Sequence, residues 1–358
     1  MPARLRWNVT PSTALCAASD LPDCPLIKAV DPTLFQGGLC RIHRLFNVYA
    51  TTSPVPLPTP GLIIAPEIRL QSERYLPLAE LRLLFNRLYR GALTYPPILS
   101  STPFHSALSW ADCFGGLPSW LQFSANPARL LEKVVNDLQL LTRFLFFSFL
   151  PDRFNGHGFS RYPDQLAWLY DRLRAGVGPL RILDAACGSG EGTWELAELA
   201  AAAGAPPTDI RVEGWTVDPL EVWAARHRSL PHAPERQQLY RERVSRLVMR
   251  GWDRQVVFTV RDLREASADR ERFDLIICNG LLGGPLLHQH EQMGQVVLNF
   301  SRLLAPGGIL VVADRFHGGW KKQVPPQVLT QLLKACGLAV ETAGEGLVAR
   351  KAAGGTYP

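Results

Sequence analysis

Asp184, Asp218, Asp262 and Asn279 each close a short aliphatic run in this 358-residue sequence, and these four positions carry most of its chemical information. The densest signal is Ile182-Leu-Asp-Ala-Ala-Cys-Gly-Ser-Gly-Glu-Gly-Thr193, a glycine-rich turn placed after an expected strand and before an expected helix. Small residues at Ala185, Ala186, Gly188 and Gly190 let a ligand approach the backbone closely, because little or no side chain intrudes. A dinucleotide fingerprint wants glycine at the third position of GxGxxG. Thr193 stands there, so the turn suits a nucleoside better than a pyrophosphate. The next run ends Gly214-Trp-Thr-Val-Asp218, where a carboxylate can accept hydrogen bonds from two ribose hydroxyls. Val260-Arg-Asp262-Leu263 offers an acid and an apolar neighbour to an adenine edge, and Phe273-Asp-Leu-Ile-Ile-Cys-Asn279-Gly280 opens onto the same crevice. In open α/β sheets ligands sit beyond the carboxyl ends of the strands, where these residues fall.

Groups able to move a proton are few. His288 and His290, on the loop after the fourth strand, are the leading candidates for a general base, ahead of His317, His157 and Tyr162. His288, His290 and Glu291 do not make a metal site, because residues two apart at a helix start converge poorly and no third ligand is evident. Cys187 and Cys278 fall at strand ends, where small buried thiols pack.

The elements that must position these residues can be read from periodicity. Strands are expected at residues 181–185, 210–217, 256–260, 274–278, 309–313, 338–342 and 346–351, with helices at 193–203, 220–228, 235–250, 291–304 and 327–336. This alternation predicts a doubly wound α/β sheet, Rossmann-like and mostly parallel. The last two strands, joined by Ala343-Gly-Glu-Gly, must form a hairpin, so the last strand runs antiparallel. The region before residue 125 is proline-rich, with Ser53-Pro-Val-Pro-Leu-Pro-Thr-Pro60 favouring extended geometry. Helices are expected there at 78–90 and, just beyond, at 127–150, started by Asn126 and Pro127. The end of the second, Phe144 to Leu150, is apolar all round and is expected to be buried between domains or subunits. The chain divides into a proline-rich, mostly helical region (1–125) that selects substrate or forms a homodimer, a helical cap or linker (126–177) and an α/β domain (178–358).

This series of motifs resembles the class I S-adenosylmethionine-dependent methyltransferases over about residues 178–352, including the antiparallel seventh strand. The resemblance implies S-adenosylmethionine as cofactor. Asp184, Ala186, Gly188 and Gly190 would surround its methionine moiety, Asp218 its ribose, Asp262 and Leu263 its adenine, and Asn279 would floor the pocket below the sulfonium. Upstream, Phe159-Ser-Arg161 is similar to an element of the chemotaxis receptor methyltransferases, as is Gly190-Glu191 after the turn. That similarity implies that Arg161 contacts the cofactor carboxylate as a bidentate partner. Those enzymes carry Arg-Asn and then a tyrosine after the fourth strand. Here the stretch is Asn279-Gly-Leu-Leu-Gly-Gly-Pro285, with neither arginine nor tyrosine, which weighs against esterification of a receptor glutamate; protein carboxyl methylation stands as one alternative and a non-catalytic binding protein of the same fold as another.

Composition narrows the remaining classes. A net charge of +6, with no concentrated basic stripe, disfavours nucleic acid as a partner. Asn279 does not begin an Asn-Pro-Pro-aromatic motif, which argues against methylation of an exocyclic base amine. Leu281-Leu-Gly-Gly-Pro-Leu-Leu287 gives the expected entry an apolar lining, which favours a small or apolar acceptor and leaves a protein side chain open. Seven cysteines with no CxxC pair argue against a disulfide scaffold, and no run approaches the length of a membrane span. A cytoplasmic protein is expected.

Overall fold

The computed structural model describes residues 23–150, 158–176, 178–265, 272–314 and 324–353. Seven strands form one sheet in the order β3-β2-β1-β4-β5-β7-β6. They are β1 (Leu180–Asp184), β2 (Ile210–Thr216), β3 (Val256–Val260), β4 (Phe273–Asn279), β5 (Leu304–Ala313), β6 (Leu338–Ala343) and β7 (Gly346–Lys351). Strands β1 to β5 pair in parallel, while β7 runs antiparallel between β5 and β6. The central strands bury both faces, which is why β4 and β5 read as near-continuous apolar runs rather than as alternation. The order reverses between β1 and β4, and the crevice of an open α/β sheet lies beyond the carboxyl ends of those strands. The expected strands thus all form, with ends moved by a residue or two except at β5, which begins five residues earlier.

The helical region before the sheet is richer than its sequence pattern. It contains α1 (Gln36–Thr52), α2 (Pro66–Tyr75), α3 (Leu78–Ala92), α4 (Pro103–Ser106), α5 (Trp110–Gly115), α6 (Pro127–Asn136), α7 (Leu138–Phe149) and α8 (Pro163–Ala175). The single helix expected over 127–150 is in fact two. Asp137 is extended (φ −132°, ψ 105°), and its carboxylate caps the second helix by accepting from Leu140 N–H. An aspartate inside a helical pattern offers such a local alternative to the helix hydrogen bond. The apolar end of α7 meets the α/β part: Phe146 packs edge-on against Trp223 at 5.6 Å, and His232 donates to the Leu150 carbonyl at 3.1 Å. One continuous buried cluster runs from Cys24 through α3, α6 and α7 into β1, β2 and β5.

Between and after the strands lie α9 (Glu191–Ala202), α10 (Pro219–His227), α11 (Pro234–Met249), α12 (His290–Leu303) and α13 (Pro326–Ala335). No helix among the described residues is long and apolar enough to cross a membrane.

Candidate functional site

The turn after β1 is held in shape by two backbone hydrogen bonds and by two glycines in the left-handed region. Cys187 N–H donates to Trp215 O on β2 at 3.0 Å, Gly190 N–H closes back on Cys187 O at 2.9 Å, and Gly188 and Gly190 take φ of +50° and +88°. A β-carbon on Gly190 would lie 2.6 Å from that of Ala225 and 2.8 Å from the Phe258 ring. The space its missing side chain leaves is therefore filled by α10 and β3. Gly192, exposed in the first turn of α9, is the glycine whose β-carbon position faces Asp184, 3.4 Å from Oδ2. Ala186 and Gly188 are half-buried beside it.

Asp184 is 7 % exposed and accepts from the Thr193 hydroxyl at 2.7 Å. Burial pushes its pKa up to about 6, against the pull of Thr193, the Ala186 N–H and the Arg161 charge. Asp218 stands two residues after β2 and caps α10: its Oδ1 accepts from Leu220 N–H at 2.8 Å and from the Tyr95 hydroxyl at 2.7 Å. Burial raises its pKa too, opposed by the same donors and by the Glu221 N–H. The Thr216 hydroxyl donates to the Glu221 carboxylate just behind it. Val260, the register partner of Thr216 at the end of β3, is 45 % exposed, and Val217, just past the end of β2, is 41 % exposed.

Asp262 and Leu263 follow β3. Asp262 is paired with Arg264 at 2.6 Å, which holds its pKa low, and Leu263 O accepts from Asn299 at 2.9 Å. The cavity beside them, lined by Trp215, Asp262, Leu263 and Phe300 among others, has about 50 Å³. Asn279, at the end of β4, makes a two-way amide pair with Gln165 on α8, with Gln165 Nε2 at 3.1 Å from Oδ1 and its own Nδ2 at 2.7 Å from Oε1. The Ala313 N–H also donates to Oδ1 at 3.1 Å.

Arg161 sits on a turn built under strain. Ser160 takes φ +60°, a left-handed conformation uncommon outside glycine, and its N–H donates to both Glu195 oxygens at 2.8 and 3.0 Å. Arg243 of α11 pairs with Glu195 at 3.0 Å and lies 4.2 Å over the Phe159 ring. This leaves Arg161 partly buried, with its charge disfavoured by burial and supported by Tyr162 and the Glu191 and Asp314 carboxylates. Glu191 is gripped in turn by Arg236 (2.7 and 2.8 Å) and by the Ser189 hydroxyl (2.6 Å). Removing the Glu195 carboxylate leaves a backbone donor and a guanidinium short of an acceptor. Glu195→Ala is expected to destabilise the protein by about 1–3 kcal/mol, read as a lower urea midpoint at unchanged slope.

His290 is exposed at the first residue of α12, and His288 is half-buried just before it. His157 and His317 lie outside the described residues. Among the described residues no group of three or more His, Cys, Asp or Glu side chains is arranged to hold a metal ion. The structure thus gathers Asp184, Ala186, Gly188 and Arg161 around one turn and puts Asp218 on the adjacent strand. It adds Tyr95, Gln165, Glu195, Arg236 and Gly192, which sequence reasoning did not single out.

No protein-family model and no curated protein sequence matches this chain. Solved structures match about half of it at low identity. A TehB-like SAM-dependent methyltransferase from Corynebacterium glutamicum is 20 % identical over 55 % of this chain and 89 % of that chain, with a TM-score of 0.34. An amino pentose methyltransferase from Micromonospora echinaspora, solved with SAM bound, is 18 % identical over 54 % and 92 %, with a TM-score of 0.35. An N-methyltransferase from Bradyrhizobium japonicum is 20 % identical over 53 % and 96 %, with a TM-score of 0.32.

Proposed function

We propose that the chain binds S-adenosylmethionine at the carboxyl edge of its sheet and transfers the methyl group to an acceptor. The observation that carries this reading is the pair of buried carboxylates, Asp184 at the end of β1 and Asp218 just past the end of the adjacent parallel β2, beside the β1–β4 crevice where strand order reverses. Two such acids, an arginine near the first of them and exposed apolar residues at the ends of β2 and β3 fit a ligand with cationic, diol, carboxylate and aromatic parts. Asp184, open toward Gly192, suits the positive methionine end. Arg161 suits the carboxylate of that same end. Asp218 suits the ribose, and Asp262 with Leu263, just past the exposed Val260, suits the adenine edge.

When bound, the sulfonium supplies an already activated methyl group. The chain's task is then to hold the acceptor atom in line and exclude water. Asn279, locked by Gln165, gives that side of the crevice a fixed wall. A general base is required only for an acceptor still protonated at neutral pH, and His288 and His290 are the residues proposed for it. Leu282 and Leu287 pack into the core and leave Leu286 exposed, so the apolar loop sequence reflects packing as much as an apolar acceptor. A small molecule and a protein side chain, including a carboxylate reached past the Phe159–Arg161 segment, are the acceptor classes to compare.

The test is calorimetry with S-adenosylmethionine and S-adenosylhomocysteine. Binding of either is expected, and Asp218→Ala should weaken it by about 1–3 kcal/mol by leaving ribose donors unpaired. A folded protein that binds neither compound refutes the reading.

A further inference from the structure

Tyr95 lies in the helical region, on the segment after α3, 123 residues before the carboxylate it touches. Its hydroxyl and the Leu220 N–H both donate to Oδ1 of Asp218, at 2.7 and 2.8 Å. A carboxylate oxygen has about two lone-pair directions, so Oδ1 is fully engaged; the Glu221 N–H also supports this carboxylate, and a ribose hydroxyl must use what remains of Oδ2. The terminal torsion of an aspartate is broad and soft on its own. Two donors on one oxygen fix it, so that Oδ2 faces a single direction. Little water competes for this task, since Asp218 is 7 % exposed.

The segment carrying the hydroxyl is itself tied down. Thr94 N–H donates to Leu26 O at 3.0 Å, Lys28 N–H donates to Ala92 O at 2.8 Å, and Pro96 and Pro97 stiffen the chain just beyond. The Tyr95 ring packs against the continuous core, so the hydroxyl is delivered from a fixed base.

We propose that Tyr95 is a positioning residue for nucleoside recognition, orienting Asp218 so that Oδ2 meets the ribose and making the helical region part of the cofactor site. This rests on the reading of Asp218 as the ribose acceptor. The two ideas separate in one experiment. S-adenosylhomocysteine and its 2′,3′-dideoxy analogue are titrated into the wild type and Tyr95→Phe, with melting temperatures recorded for both proteins. Loss of one orienting hydrogen bond should weaken S-adenosylhomocysteine about fivefold in the variant. Affinity for the dideoxy analogue should be equal in the two proteins, because the hydroxyls that sense the orientation are gone. Such non-additivity is the mark of direct coupling, which a merely structural role does not produce. Equal weakening of both ligands, or tighter binding of S-adenosylhomocysteine by the variant, overturns the role of Tyr95. A wild type that binds both ligands alike, or neither, overturns the ribose reading and the inference with it.

Discussion

Gly190→Ala is expected to destabilise the protein by about 2–5 kcal/mol, combining roughly 1–2 for a side chain in the left-handed region with roughly 1–3 for overpacking. The reason is specific to the packing. With φ at +88°, an added β-carbon would meet the Ala225 β-carbon at 2.6 Å and the Phe258 ring at 2.8 Å, and both neighbours are buried. Ala225 has no flexible end to move aside, so the turn or helix α10 must shift. Denaturant unfolding should show a lower midpoint with the slope retained. Gly192→Ala is the contrasting case. Its φ is not in the left-handed region, its β-carbon would meet only Asp184 Oδ2 at an ordinary 3.4 Å, and alanine is the better helix former by about 1 kcal/mol. That variant should keep or gain stability while placing a methyl group at the edge of the Asp184 carboxylate. A Gly190→Ala protein as stable as the wild type would mean that the turn is not packed as described.

The second large effect is the pH dependence set by Asp184, whose pKa is raised by burial from 3.8 to about 6 in the folded chain. The sign follows from linkage. The native state holds this proton more tightly than the unfolded chain, so this group's contribution to stability falls as pH rises between about 4 and 6 and stays low above that. The full penalty is about 2–3 kcal/mol, an order of magnitude taken from a shift of this size. Asp184→Asn removes the charge and keeps an acceptor for Thr193. It should therefore gain about 1–2 kcal/mol over the wild type at pH 8, part of that penalty, and little or nothing at pH 4. Ligand binding should run the other way. An ammonium or sulfonium beside Asp184 favours the carboxylate, so affinity for S-adenosylhomocysteine, which keeps the ammonium, should fall by up to about tenfold per pH unit below 6. Titration at pH 6 in buffers of different ionisation enthalpy should show proton release. Affinity that stays flat from pH 5 to 8 would remove Asp184 from contact with the ligand's charge.

The sequence alone determined the sheet. Aliphatic runs alternating with helical periods specify parallel strands and their covering helices, because burial on both faces leaves a local and repetitive pattern in the chain. The hairpin of β6 and β7 is equally local, since the two residues between them, Gly344 and Glu345, cannot carry a crossover. Asp184, Asp218 and Asn279 were visible for the same reason: each ends a strand, and strand ends mark the crevice.

Tertiary structure alone decided what those residues touch. Tyr95 meets Asp218 across 123 residues, Gln165 meets Asn279 across 114, and Glu345 of the last hairpin caps α8 through the Gln165 N–H across 180. The strained turn at Ser160 likewise depends on a distant partner, Glu195, which no periodicity records. A side-chain hydrogen bond between distant segments requires no particular neighbours in sequence, so it leaves no pattern to read. Only the packed fold brings its donor and acceptor within 3 Å.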